Sequence, residues 1–224
     1  MDVRTKKEKV LTQIRHALVT KIESPYGNID NSKEIFHIEE ESKELLFAQN
    51  FIKNEGKFIY CENIDELMEN LAVLIYKKKL GSLSCDDNAL KNLLDKYGLP
   101  HSTSNKKEQK AILTRCECLI AQYGTVGVSN TDSYRKSNAY FENHLIVSES
   151  SQIVCKLSDA MELLGKRYKE GFPSLLSFIT GPSKTADIEK TLVMGAHGTK
   201  NLFLFLLPPK TLPIDEPLKD EKND

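Results

Sequence analysis

The stretch from Phe178 to Leu207, FITGPSKTADIEKTLVMGAHGTKNLFLFLL, constrains the fold more than any other part of the chain. An apolar run stops at Thr180-Gly181-Pro182-Ser183, and a polar, helix-like segment follows. Gly195-Ala196-His197-Gly198 then turns the chain into a second apolar run, Leu202 to Leu207. This order reads as strand, tight loop, helix, turn, strand, which is a βαβ unit. Such units build parallel sheets. In open α/β sheets the connections at the carboxyl ends of strands hold the ligands. The polar residues crowded into these two connections are therefore the first candidates for a site.

The rest of the chain agrees with an α/β class. Lys57–Cys61 reads as a strand, and Asn63 or Asp65 opens a helix to about Tyr76. Gly81–Ser84 reads as a short strand. Asp86–Gly98 is a helix with a Gly-Leu-Pro stop. Ile112–Thr114, Thr125–Val128 and Leu145–Ser148 read as strands, and Leu157–Tyr168 reads as a helix with Ser158 as N-cap. Alternating elements of this kind predict a three-layer α/β domain with a largely parallel sheet over residues 56–207. Residues 1–55 read as an N-terminal helical arm, with helices over 3–20 and about Glu39–Asn54. Leu45, Leu46 and Phe47 give the second of these few apolar positions, so it packs on a partner or folds back on the domain. Residues 208–224, rich in Pro, Lys and Asp, are expected to be a disordered tail.

Bulk properties exclude several classes. The net charge of −1 gives no overall pull toward nucleic acid or anionic membrane. Lys77-Lys78-Lys79 reads as a solvated helix end. The first residues lack the apolar centre of a signal peptide. No segment reaches the ~18 consecutive apolar residues of a membrane span. The expected place is the cytoplasm. The five cysteines, Cys61, Cys85, Cys116, Cys118 and Cys155, contain no CxxC, which predicts reduced and mostly buried thiols with no metal in this chain.

Three loops have residue types suited to binding. In Ala121–Gly127 the glycines Gly124 and Gly127 permit close backbone approach, and Thr125 offers a hydroxyl to an anion or carboxylate. The alternative is a tight turn entering a strand. In Thr180–Asp187 a helix start would point free amides at negative charge beside Gly181, with Ser183 and Thr185 adding hydroxyls and Lys184 a cation. The spacing is not that of a Walker A loop, and the competing reading is simple helix capping. His197, held between Gly195-Ala196 and Gly198, is poorly placed for core packing and suits proton transfer or orientation of a carbonyl. Arg135 suits bidentate recognition of carboxylate or phosphate, and His144 opens a strand.

Ile179–Glu189 followed by Gly195–Gly198 resembles the C-terminal signature of the LUD-domain proteins, and most closely their lactate-utilisation C branch. Ile120–Thr125, Arg135 and His144 resemble that family's central motif at its spacing. The resemblance covers about Gly56–Leu207. It implies a sheet similar to the NagB/RpiA/CoA-transferase-like fold. It also implies an accessory role in oxidising L-lactate to pyruvate beside two iron–sulfur partner proteins, with the clusters in those partners and none in this chain. The ligand would be a small carboxylate or phosphate-bearing molecule. A homo-oligomer stays open. Three positions depart from the family: Gln122 and Tyr123 stand where an acid and a threonine are usual, and Phe141 replaces a proline. Gln122 hydrogen-bonds but does not titrate. The competing functional readings are a stand-alone sugar-phosphate isomerase or CoA- or folate-type ligase of the same superfold, and a non-catalytic interaction protein.

Overall fold

The computed structural model describes residues 42–102, 109–129, 141–169, 171–186, 192–194 and 198–212. All of them belong to one compact unit that begins at Ile38. The helix over 3–20, residues 213–224 and the site candidates Arg135 and His197 lie outside the described residues. The first residues of the expected tail, 208–212, are ordered instead, with Leu212 packed on the core and the Thr211 and Leu212 amides bonded to Glu149.

Six strands form one all-parallel sheet: β1 (Lys57–Tyr60), β2 (Leu83–Ser84), β3 (His101–Ser102), β4 (Ala111–Arg115), β7 (Asn143–Glu149) and β12 (Asn201–Leu207), in the order β1-β12-β7-β4-β2-β3. The run Leu202–Leu207 is buried at every residue, as a central parallel strand covered on both faces requires. Alternate residues serve the two faces. Leu113, Leu145, Val147, Phe203 and Phe205 meet Leu67, Met68 and Leu71 of α2 (Ile64–Lys78) and Leu90 and Leu94 of α3 (Asn88–Lys96). Asn63 and Asp87 cap these helices by accepting from the amides of Glu66 and Leu90. Lys77 and Lys78 close α2 as an exposed, basic last turn.

The opposite face is covered by a second sheet. Its strands are β5 (Cys118–Ile120), β6 (Thr125–Ser129), β8 (Ile153–Val154) and β9 (Leu176–Ile179), in the order β8-β5-β6-β9 with mixed directions. Leu119, Val126 and Val128 of this sheet pack on Ile146, Leu204 and Leu206 of the large one. Its outer side holds Cys118 and Ile120 against Ala160 and Leu164 of α4 (Leu157–Arg167). The N-cap of α4 is Lys156 rather than Ser158, and the Lys156 amide donates to Asp159 Oδ2. The α/β class and the largely parallel sheet are as the sequence indicates. The second sheet is not foreseen, because β5 and β8 are too short to leave a periodic signal.

α1 (Lys43–Lys53) folds back on the domain. Phe47 and Phe51 are fully buried among Leu119, Val126 and Leu204, while Leu45 lies exposed. The two rings stack with centroids 5.5 Å apart.

The expected βαβ unit at 178–207 is not formed. β9 belongs to the second sheet and β12 to the large one, so they are not neighbours. Between them, β10 (Lys184–Ala186) pairs antiparallel with β11 (Leu192–Met194), Thr185 opposite Val193. The β-branched residues Thr185 and Val193 favour extended backbone over helix. The helix start expected at Ser183 is therefore absent, and with it the argument from helix amides and dipole.

Candidate functional site

The loop before β6 and the loop after β9 meet. Thr125 Oγ1 and Thr180 Oγ1 share a 2.7 Å hydrogen bond, with the Thr125 side chain buried in the β5–β6 turn and Thr180 at the surface. Ser183 joins them from the same side, its amide donating to the Thr199 carbonyl at 2.9 Å. Gly198 lies against Ser183 so closely that a Cβ there would meet Ser183 Cβ at 2.9 Å. Residues far apart in the chain, Gly124, Thr125, Gly181, Ser183, Lys184 and Gly198, are thus gathered around one locality. Thr185 continues into β10, where its backbone pairs with Val193.

The end of α1 holds this locality together. Asn50 Nδ2 donates to the carbonyls of Ala121 (2.9 Å) and Gln122 (3.2 Å), and Asn54 Nδ2 donates to Tyr123 O at 2.8 Å. Gly124 has φ +60 and Gly181 φ +73, both in the left-handed region. A Cβ at Gly124 would overlap the Phe51 amide nitrogen, and one at Gly181 the Asn54 carbonyl oxygen. The close approach that these glycines permit is made by α1. Lys184 Nζ pairs with Glu55 Oε1 at 2.7 Å, both side chains partly exposed. Asn50 and Asn54 escape a reading of the sequence for ligand groups. Their spacing of four residues, three positions on from the Phe47–Phe51 pair, is the signal that would have found them.

The position in the sheet also differs from the expectation. α1 ends at Lys53, shortly before β1, and Thr199 lies two residues before β12. The cluster therefore sits at the amino-terminal end of the parallel strands, not at their carboxyl ends. At the carboxyl ends two carboxylates, Asp87 and Glu149, are engaged in structural contacts. Asp87 caps α3 and takes Arg115 Nε at 2.6 Å. Glu149 Oε1 accepts from the amides of Thr211 and Leu212, each at 2.7 Å.

Three further polar groups are structural. His144 is buried in β7, its Nε2 2.8 Å from Thr114 Oγ1, and burial pushes its pKa down to about 4. Burial alone would raise the carboxyl of Glu117. Hydrogen bonds from Ser129 and Tyr168, with the charge of Arg167, outweigh that and hold it below its usual range. Four of the five cysteines are buried, and burial pushes Cys85 and Cys116 up to about 12, so these thiols are protonated and inert. Among the described residues no group of His, Cys, Asp or Glu has the arrangement of a metal site. No described helix is long and apolar enough to cross a membrane.

Beside the threonine pair lies a cavity of about 330 Å³, lined by Ile120, Tyr123, Thr125, Leu157, Phe178 and Thr180. The Gln122 backbone amide donates to Cys155 O at 3.0 Å. Tyr123 projects at the cavity mouth.

A parallel α/β sheet backed by a second mixed sheet, with two motif loops pinned by a preceding helix, defines the class of protein. A solved structure of a DUF162 family protein from Deinococcus radiodurans has this fold: TM-score 0.53, 16% identity, covering 75% of this chain and 99% of that one. The LUD domain family model matches residues 45–207, and the chain belongs to that family. Relatives include lactate utilization protein C 1 of Bacillus mycoides (strain KBAB4), 29% identical over 67% of this chain and 66% of that protein. Another is lactate utilization protein C of Bacillus subtilis (strain 168), 34% identical over 42% of this chain and 40% of that protein. The matched region spans less than two thirds of these relatives' length.

Proposed function

We propose that the chain is an accessory component of a lactate-utilisation system. It works beside iron–sulfur partner proteins that carry the electrons of L-lactate oxidation to pyruvate. Its own part is to hold a small carboxylate or phosphate-bearing ligand over the loops around Gly124, Gly181 and Gly198. Membership of the LUD family and relatives named for lactate utilisation support the system. The observation that carries the ligand site is the convergence of both motif loops: Thr125 and Thr180 are hydrogen-bonded to each other, and Ser183 is bonded to Thr199. Lys184, partly exposed and paired with a partly exposed Glu55, supplies the cation that an anionic ligand would recruit. Arg135 and His197 take the roles of anion clamp and proton-transfer group in this reading.

Growth tests this directly. Loss of the gene in its own cell should abolish growth on L-lactate and leave growth on pyruvate intact, with restoration by the full chain. Restoration should fail with His197→Ala or Lys184→Ala, provided the purified variants melt within a few degrees of the parent. Undiminished growth on lactate in the deletion strain would end the proposal.

A further inference from the structure

We infer that the cavity beside the threonine pair binds an uncharged, largely apolar molecule with one hydroxyl or carbonyl head, a ligand class distinct from the small anion above. This goes beyond the lactate-utilisation reading and stands or falls without it.

The lining carries the argument. Of the six lining residues, Ile120, Tyr123, Leu157 and Phe178 contribute apolar surface, and none of the six carries a charge. Tyr123 is 48% exposed, Leu157 45% and Phe178 38%, an unusual cluster of large side chains left in water around one opening. Three elements border this open space: the β5–β6 turn, the first residue of α4, and the end of β9. The volume is at the small end of the ~300–1,000 Å³ typical of ligand sites. Lactate, a three-carbon acid, would leave most of it empty and would face apolar walls.

Among the described lining residues the polar groups are the Thr125–Thr180 pair and the Tyr123 hydroxyl. Two hydroxyls joined by one hydrogen bond use one proton between them. The second proton stays free to donate, and spare lone pairs remain to accept. That is the complement of a single hydroxyl or carbonyl. None of the six described lining residues would offer a counter-charge to a carboxylate or phosphate seated inside the cavity itself, and desolvating such a group there is costly; the small anion belongs outside it, on the Ser183–Lys184 side of the threonine pair. The rings of Tyr123 and Phe178 suit a flat or aromatic body.

The probe is 2-naphthol, which is neutral at pH 7, titrated into the full chain by calorimetry and by thermal shift. The expected result is saturable binding with a raised melting temperature. Leu157→Trp, which fills the cavity from an exposed position, should abolish binding and leave the unliganded melting temperature close to the parent. Tyr123→Lys, also at the mouth, is a second blocking variant should the first fold poorly. Thr180→Val should weaken binding about five- to tenfold, the worth of one hydrogen bond. The charged analogue 2-naphthoate should bind at least tenfold more weakly. No saturable binding of 2-naphthol overturns the inference, as does undiminished binding in a folded blocking variant or equal affinity for 2-naphthoate. Failure of the growth test with success here would leave this site intact and remove only the lactate reading.

Discussion

A methyl group at Gly124 has nowhere to go. The backbone is left-handed there, and the Phe51 amide occupies the space a Cβ would need. Gly181 meets the Asn54 carbonyl in the same way. Gly124→Ala and Gly181→Ala should each cost about 2–4 kcal/mol, read as a lower urea midpoint with little change in slope. Gly98, also left-handed but with open space around it, should lose only about 1 kcal/mol on the same change. The positive φ of such glycines is legible in a sequence. The neighbour that makes two of them intolerant is not, because α1 and the loops are about seventy or more residues apart. His144 carries a prediction of its own. Burial lowers its folded pKa from 6.5 to about 4. Between these values the unfolded chain binds a proton that the folded chain refuses, so stability falls as pH drops from about 6.5 and the loss is complete near pH 4. The full effect is about 3 kcal/mol. His144→Gln keeps a partner for Thr114 and should flatten this part of the stability–pH curve, measured by urea unfolding at each pH.

At the scale of elements, α1 decides whether the candidate site exists. Phe51→Ala should destabilise by about 3–5 kcal/mol, through lost burial and the cavity left behind. Asn54→Ala should cost about 1 kcal/mol yet loosen the Tyr123 carbonyl, seen as faster amide exchange at Gly124. From the sequence this helix is visible, but Leu45, Leu46 and Phe47 alone do not decide whether it folds back or serves a partner; Phe51, one turn beyond Phe47 and fully buried, decides for the domain. Between Ser183 and Gly195 the sequence reads as a helix because polar residues separate two apolar runs. Local pattern does not distinguish a short helix from a short hairpin at this length. The pairing of Thr185 with Val193 decided it. By contrast α2 and α3 are legible in the sequence: Asn63 stands at the start of α2 and a basic run at its end, and α3 falls within Asp86–Gly98 before its Gly-Leu-Pro stop.

At the scale of the whole molecule, the two sheets should separate in amide exchange. β7 and β12 are central, bonded on both sides and buried on both faces, and their amides should be the slowest in the protein. β3, two residues long at the edge, should exchange orders of magnitude faster. Equal protection in β3 and β12 would contradict this account of the core. The sequence by itself determined the α/β class, the helices α2 and α3, the buried central strands and the identity of the motif loops. Each rests on period, caps or turn chemistry within a few residues. Only the tertiary structure decided that a second sheet covers one face, that α1 is the wall on which Gly124 and Gly181 rest, and that the motif loops lie at the amino ends of the parallel strands. Those facts depend on contacts between segments distant in the chain. Their cost is chain entropy and their return is burial, and neither leaves a local mark on the amino acids that make them.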